Sequence, residues 1–215
     1  MPPRIRRNLD ELSKIIGTAA IPNKDYSKFG GVIEELTAAA LEQRIVSMRY
    51  DSLSSSRDEL RLFDPYNIYL DPDGATLKTI GYDRRNNRIS PFSLDRIRSV
   101  RITKENFSRP PDFDLRKFLT ENCFNGIHGE PVTARLKVFG VTAGIFYERQ
   151  FHPSQKTISL KKSESGRIEE IEIEMRVAAG RGLERFILSW LPDIQIIAPE
   201  NLRLQIKQII SQTKV

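Results

Sequence analysis

Short runs of alternating apolar and polar residues fill most of the chain between residues 46 and 103. Val46, Met48 and Tyr50 form the first run, in which every second residue is apolar. The later runs lie at about residues 60–62, 66–70, 75–82, 88–92 and 97–103. A period of two predicts half-buried β-strands, and Asp71-Pro72-Asp73-Gly74 is a strong turn signal between two of them. Many short strands joined by tight turns predict a small antiparallel β-barrel.

Helical spacing of apolar residues occurs on both sides of this region. Ile33, Leu36 and Ala40 lie on one helical face and predict a helix over about residues 32–43. From residue 132 onwards, the patterns predict the order strand, helix, strand, strand, helix, strand, helix. That order is typical of a ferredoxin-like sandwich. The predicted fold class is therefore α+β, a small barrel followed by an α/β sandwich.

Proline and glycine residues separate these two units. Pro110-Pro111, Gly126, Gly129 and Pro131 indicate a connector, within which Asp114 is the expected N-cap of a short helix. The predicted segments are an N-terminal arm or linker at 1–30, a barrel domain at 31–104, the connector at 105–131 and a sandwich domain at 132–215.

The positive charge of the chain is local. The sequence has 34 basic and 28 acidic residues, a net charge of +6. Between Arg84 and Lys104 there are seven basic residues and one acidic residue, Asp95. The net charge of this segment is therefore +6, the same as that of the whole chain. Residues 164–174 are instead mainly acidic. A local basic patch of this kind attracts partners that carry phosphate groups.

Other features of the composition narrow the class of protein. Cys123 is the one cysteine, which excludes an internal disulfide framework and is typical of a reducing cytoplasm. No apolar run approaches the roughly 18 residues of a membrane span. The N-terminal residues lack the apolar stretch of a secretory signal. We therefore expect a cytoplasmic protein with no membrane partner.

Two motifs in the barrel region resemble those of the WYL domain. They are Gly81-Tyr82-Asp83 followed by a basic turn, and Phe92-Ser93-Leu94-Asp95-Arg96-Ile97. Tyr50-Asp51-Ser52, Arg61 and Pro65 fit the same family pattern upstream. The resemblance implies an Sm-like barrel and a role in sensing, usually inside a transcriptional regulator. It also implies a homodimer.

The second unit resembles the WCX domain, the C-terminal extension of such regulators. The best-matching pieces are residues 151–155 and the stretch from Trp190 through Pro199 to Leu202. Together with the first unit, the resemblance covers about residues 32–215.

The sequence departs from the family pattern at two places. Leu77-Lys78-Thr79 replaces the tripeptide that gives the family its name, and Lys78 could add a cation to a binding site. The residues before the barrel are too few for the winged helix-turn-helix that such regulators usually carry. We therefore expect double-stranded DNA to be bound only through a helix-turn-helix that this sequence does not contain. Two interpretations stay open, a piece of a longer protein or a natural sensor without that module.

The candidate ligand site combines basic residues of the barrel with nearby hydroxyl groups. Arginine suits phosphate because its planar guanidinium donates paired hydrogen bonds and stays charged. In a closed barrel, several of these side chains would meet on one face, and tyrosine rings could stack on bases. The predicted ligand-binding residues are Tyr50, Ser52, Arg61, Lys78, Tyr82, Arg84, Arg85, Arg88 and Arg96. In the alternative interpretation, Arg84, Arg85 and Arg88 only solvate a turn, and Arg96 pairs with Asp95 or another carboxylate.

The leading functional hypothesis is a non-enzymatic sensor that binds a nucleotide or a short single-stranded nucleic acid and thereby controls a DNA-binding dimer. The alternative is a constitutive RNA- or DNA-binding accessory protein with an Sm-like barrel. We expect no catalytic residues, because no acid/base pair is indicated and Cys123 and His128 lack a third partner. We expect no metal or other cofactor, because two histidines and one cysteine make a weak ligand set.

Overall fold

Five strands form one antiparallel sheet in the first unit. The computed structural model describes residues 24–52, 58–71 and 76–212, so residues 72–74 of the predicted turn and the first 23 residues of the predicted arm lie outside the described residues. The strands are β1 (Arg44–Asp51), β2 (Asp58–Asp71), β3 (Thr76–Asp83), β4 (Arg88–Ser93) and β5 (Ile97–Asn106). They pair in the order β4-β3-β2-β1-β5. The antiparallel strands are confirmed, but no ladder between β4 and β5 closes the described residues into a barrel.

A helix covers the inner face of this sheet. Helix α1 (Gly30–Leu41) buries Leu36 and Ala39 against Met48, Phe63 and Val100 of the sheet. These side chains are almost fully removed from water. Each large one contributes roughly 1.5–3 kcal/mol by burial. The alternation in the sequence therefore marks one apolar face that α1 covers.

Strand β2 is longer than the sequence indicates. The runs predicted at 60–62 and 66–70 belong to one strand of 14 residues. The pairing register between β2 and β3 shifts between Pro65 and Asn67, which is a β-bulge or a similar irregularity. Proline has no N–H to donate to a ladder, and a bulge lets a strand continue past such a residue. Pairing with β3 continues on both sides of this shift, so Pro65 does not end the strand.

The connector contains a hairpin that the sequence analysis did not predict. Helix α2 (Leu115–Asn122) begins as expected, since the Asp114 carboxylate accepts a hydrogen bond of 2.6 Å from the Lys117 backbone N–H. Strands β6 (Cys123–Phe124) and β7 (Ile127–His128) then pair through a turn at Asn125 and Gly126. Both turn residues have positive φ, 47° and 71°. Asn-Gly suits this conformation and was the signal available in the sequence.

A second sheet carries three helices in the C-terminal unit. Its elements are β8 (Pro131–Phe139), α3 (Gly140–Glu148), β9 (Lys156–Lys162), β10 (Ile168–Ala178), α4 (Arg181–Leu188), β11 (Ile194–Ala198) and α5 (Glu200–Gln212). The strands pair in the antiparallel order β11-β8-β10-β9. Ile171, Ile173 and Met175 of β10 are fully buried. None of the helices within the described residues is long and apolar enough to cross a membrane.

A close approach between β2 and β3 generates a stability prediction. A Cβ atom added to Gly81 would lie 2.0 Å from the backbone oxygen of Asp64 and 2.9 Å from the Phe63 ring. We expect Gly81→Ala to lower the free energy of unfolding by about 1–3 kcal/mol, because backbone atoms must move apart. Gly144→Ala is the matched control, since its Cβ would meet nothing within 4 Å and alanine favours the helix α3. Urea unfolding of both variants checks this, and equal stability of the two would contradict it.

Candidate ligand-binding site

Carboxylates already pair with most of the predicted cations. Four of the six predicted basic residues have such partners: Arg61 with Glu59 and Asp83, Lys78 with Asp71, Arg84 with Asp64, and Arg85 with Glu59. Arg88 and Arg96 form no ion pair with the described residues. Asp95, the expected partner of Arg96, instead pairs with Lys24. The local excess of charge in the sequence is therefore largely balanced in space.

The sheet divides the predicted residues between its two faces. Asp83 lies on the inner side with Arg61, whereas its neighbours Tyr82 and Arg84 point to the outer side, because successive strand residues alternate. Tyr82 packs there in a small cluster with Tyr66, and its hydroxyl is 3.5 Å from the Asn87 side-chain oxygen. Lys78 also points to the outer side of the sheet. The structure thus does not bring the nine predicted residues together on one surface.

A compact inner group does form around Arg61. The Arg61 guanidinium lies 5.3 Å from the centre of the Phe92 ring, a cation–π contact. One terminal nitrogen donates a hydrogen bond of 2.7 Å to Asp83, and the other donates to Glu59. Arg85 approaches the same Glu59 oxygen, Oε2, at 3.0 Å. Two guanidinium groups therefore meet at a single acidic oxygen. We call Glu59, Arg61, Asp83 and Arg85 the inner cluster.

Asp83 fixes the geometry of the inner cluster. Its side chain is fully buried. Besides Arg61, its carboxylate accepts hydrogen bonds from the Arg85 backbone N–H at 3.2 Å and from the Asn86 amide at 2.7 Å. Three donors stabilise a charge that would be costly to bury alone. The turn between β3 and β4 and the direction of Arg61 are thereby set by one residue.

Tyr50 and Ser52 lie at the end of β1 beside this cluster. Tyr50 is buried and packs edge-to-face on Phe92, with ring centres 4.8 Å apart. Its ring belongs to the core beneath Arg61 and does not offer an open stacking surface. Ser52 is half-buried and has an interaction within the structure. Within the described residues, no group of three His, Cys, Asp or Glu side chains could hold a metal ion.

A second polar group joins the first sheet to the connector. The Tyr69 hydroxyl and His128 Nε2 are 2.8 Å apart. Lys78, which pairs with Asp71, also donates a hydrogen bond of 3.1 Å to the backbone oxygen of Gly126. Burial, with the nearby charge of Lys78 adding to it, lowers the pKa of His128 to about 4. Burial also raises the pKa of Tyr69, so both partners of this contact are neutral at pH 7.

Comparisons with known proteins agree with this architecture. Residues 31–102 match the WYL domain and residues 130–213 match the WCX domain. No curated protein matches the chain. One similar solved structure is proteasome accessory factor B/C (PafBC) of Arthrobacter aurescens, with 19% identity, 96% of this chain and 31% of that chain covered, and a TM-score of 0.42. Another is a CRISPR Cas-related protein, with 11% identity, 86% and 50% covered, and a TM-score of 0.56. The latter likeness shows the fold alone, and the chain spans half or less of either protein.

The buried histidine gives a pH prediction. His128 in the unfolded chain has a pKa of about 6.5 and takes up a proton there, whereas folded His128 stays neutral until about pH 4. The unfolded state therefore binds more protons between these values, and stability falls as the pH falls from about 6.5 to about 4. We expect this loss to be on the order of 3 kcal/mol larger in the parent chain than in His128→Gln.

Chemical unfolding of both chains at several pH values between 7 and 4 checks this difference. Other groups that titrate in this window, including His152, are present in both chains and cancel in the comparison. Parallel stability curves for the two chains would show that His128 does not titrate as described.

Proposed function

Because this chain belongs to the WYL-domain family and carries a WCX domain as well, we propose that it is the ligand-sensing part of a transcriptional regulator whose ligand is a nucleotide or a short single-stranded nucleic acid. The WYL and WCX families are generally regulatory, and this supports a non-enzymatic role for the chain. The proposed anion site is the inner cluster, with Arg61 and Arg85 as the groups that bind phosphate.

One observation carries the proposal for the ligand. Arg61 and Arg85 both reach Oε2 of Glu59, which is the arrangement that two arginines adopt around one phosphate oxygen. Arginine is suited to this because its donors lie in a fixed plane and it stays charged at neutral pH. Phe92 supports Arg61 from below, so little reorganisation is needed when an anion arrives.

Glu59 acts in this proposal as an internal competitor of the ligand. Its side chain is 17% exposed, whereas the side chain of Asp83 is fully buried. A phosphate group can therefore displace Glu59 while Asp83 keeps Arg61 in place. A phosphodiester offers two free oxygens to the two guanidinium groups, and a terminal phosphate offers three, whereas both groups now share the single oxygen Oε2 of Glu59. In the final complex, the phosphate pairs with Arg61 and Arg85 in place of Glu59, so neither guanidinium group is left unpaired.

The outer residues take no part in this site. Lys78, Tyr82 and Arg84 lie on the other face of the sheet and engage partners of their own. Tyr50 acts as support beneath Arg61 rather than as a base-stacking ring. Ser52, at the end of β1, stays in the proposed site as a hydroxyl next to Tyr50. Arg96, which no described carboxylate neutralises, adds positive charge at the start of β5.

Strand β2 offers a route from the site to the rest of the protein. Glu59 and Arg61 lie near one end of this strand, and Tyr69 and Asp71 lie at the other. Tyr69 contacts His128 of the connector, which leads into the WCX domain. Binding changes an equilibrium only if the ligand has different affinities for two arrangements. We propose that these arrangements differ in the packing of the connector on the sheet. We also propose that the regulator acts as a homodimer.

The strand orders support finer descriptions of the two folds. A helix followed by five strands in the order β4-β3-β2-β1-β5 fits an Sm-like fold in which the edges stay open. The order β11-β8-β10-β9, with α3 and α4 as crossovers, fits a ferredoxin-like sandwich. We propose these as the fold types of the WYL and WCX domains of this chain.

Two substitutions of opposite effect test the proposed site. Arg85→Ala removes one phosphate-binding group, and we expect it to lower the affinity for a labelled dinucleotide by roughly tenfold. Glu59→Gln removes the competing charge and should raise that affinity by a similar factor. The dependence on salt should also weaken in Arg85→Ala, with the slope of log K against log salt falling by about 0.7. Fluorescence anisotropy of the full chain across a salt series measures all three effects.

Arg101→Ala is the matched control for this experiment, because Arg101 is an exposed arginine of the same sheet without an ion-pair partner among the described residues. Saturation by a dinucleotide, with unchanged affinity in Arg101→Ala, supports the sensor. Equal losses in Arg85→Ala and Arg101→Ala, with affinity that grows with oligonucleotide length, would instead favour the constitutive nucleic-acid-binding protein and reject the inner cluster as the site.

A further inference from the structure

A cleft of about 290 Å³ lies where the WYL domain meets the connector. Strand β4 supplies one wall through Arg88, Ile89 and Pro91, and the connector supplies the other through Phe118 and Glu130. Ligand pockets of proteins begin at about 300 Å³, so this cleft has room for a small molecule only. The cleft lies along the edge strand β4, and none of the four inner-cluster residues lines it.

Two opposite charges line this cleft without neutralising each other. Arg88 and Glu130 are both exposed. Neither forms an ion pair within the described residues, with the other or with a third group. This distinguishes Arg88 from Arg61, Arg84 and Arg85, whose partners are all in place. A cation and an anion therefore line the same small cleft, and neither neutralises the other.

The surface between these charges is apolar. Ile89, Pro91 and Phe118 are each half-buried, so part of each side chain remains open to the cleft. His128 forms part of the lining and is neutral at pH 7, so it adds no third charge. The lining thus presents one positive group, one negative group and an apolar wall.

We propose that this cleft binds a small zwitterion of the α-amino acid type with an apolar side chain, held through its carboxylate by Arg88 and through its ammonium group by Glu130. The apolar side chain packs against Ile89, Pro91 and Phe118. A simple anion would meet the carboxylate of Glu130, and a simple cation would meet the guanidinium of Arg88. A zwitterion matches both charges. A simple anion or a simple cation matches only one of them and is repelled by the other, which provides specificity.

The location gives this ligand a role beyond the nucleic-acid-sensing function. A molecule in the cleft contacts β4 of the WYL domain and the connector at once. It would therefore favour the arrangement in which the two are packed together, the same arrangement that the contact between Tyr69 and His128 stabilises. The protein would then have two inputs, a phosphate-bearing ligand at the inner cluster and an amino acid at the β4 edge of the sheet.

The experiment compares amino acids with analogues that lack one charge. The full chain is titrated calorimetrically at pH 7 with L-leucine and L-phenylalanine, and with 4-methylpentanoate, 3-phenylpropanoate, isoamylamine and phenethylamine. We expect at least one of the two amino acids to bind and its analogues to bind about tenfold more weakly or not at all. We expect Arg88→Gln and Glu130→Gln each to lower the amino-acid affinity about tenfold. Arg101→Gln should leave it unchanged.

Several outcomes would overturn the proposal. The proposal is wrong if neither L-leucine nor L-phenylalanine binds the parent chain. Equal binding of the deaminated carboxylates, with full affinity in Glu130→Gln, would show a simple anion site instead. Thermal unfolding of each variant verifies that it is folded before its affinity is compared. Arg85→Ala should retain amino-acid binding, so failure of this site and failure of the inner cluster are distinguishable.

Discussion

The buried carboxylate of Asp83 organises the polar end of the first sheet. It accepts hydrogen bonds from the Arg61 guanidinium, the Arg85 backbone and the Asn86 amide, and none of its surface is exposed. A charge in this position is stable only while such donors surround it. The donors are fixed in return, so the turn from β3 to β4 and the stacking of Arg61 on Phe92 follow from the same interaction. The geometry of the candidate anion site therefore depends on a group that itself stays out of reach of any ligand.

The long strand β2 connects this site to the other unit. A strand of 14 residues extends across the sheet, with Arg61 near its beginning and Tyr69 near its end. The pairing register shifts after Pro65, but the strand pairs with β3 on both sides of this shift. Because both partners in the contact between Tyr69 and His128 are neutral, that contact holds the connector without adding charge to the boundary. Strand β2 thus provides a continuous paired backbone between Arg61 and Tyr69, whose side chain contacts the connector.

Local periodicity allowed most of the strands and helices to be predicted from the sequence, because alternation and helical spacing depend on near neighbours. The WYL and WCX resemblance also rested on short local motifs, and it was confirmed. Charge pairing was not predictable in this way. Glu59 and Arg85 are far apart in the sequence and meet only through strand pairing, so a count of charges along the chain overstated the positive patch. The open edges of the sheet were missed because closure leaves no local sequence signal. The hairpin at Asn125–Gly126 was missed despite its turn signal, because strands of two residues show no alternation.

The net charge of the inner cluster is close to zero, which affects how selectively it could bind nucleic acids. An unpaired cluster of arginines would bind any nucleic acid through long-range attraction, and most of that binding would be independent of sequence and shape. In the inner cluster, Glu59 and Asp83 balance Arg61 and Arg85, so the net attraction at a distance is small. In the proposed sensor, a ligand must then place its oxygens where the Glu59 carboxylate lies in order to displace it. Recognition becomes a comparison between two anions at short range, which depends on geometry more than on total charge. A sensor needs this property, because the cell contains a large excess of nucleic acid that must not trigger the response.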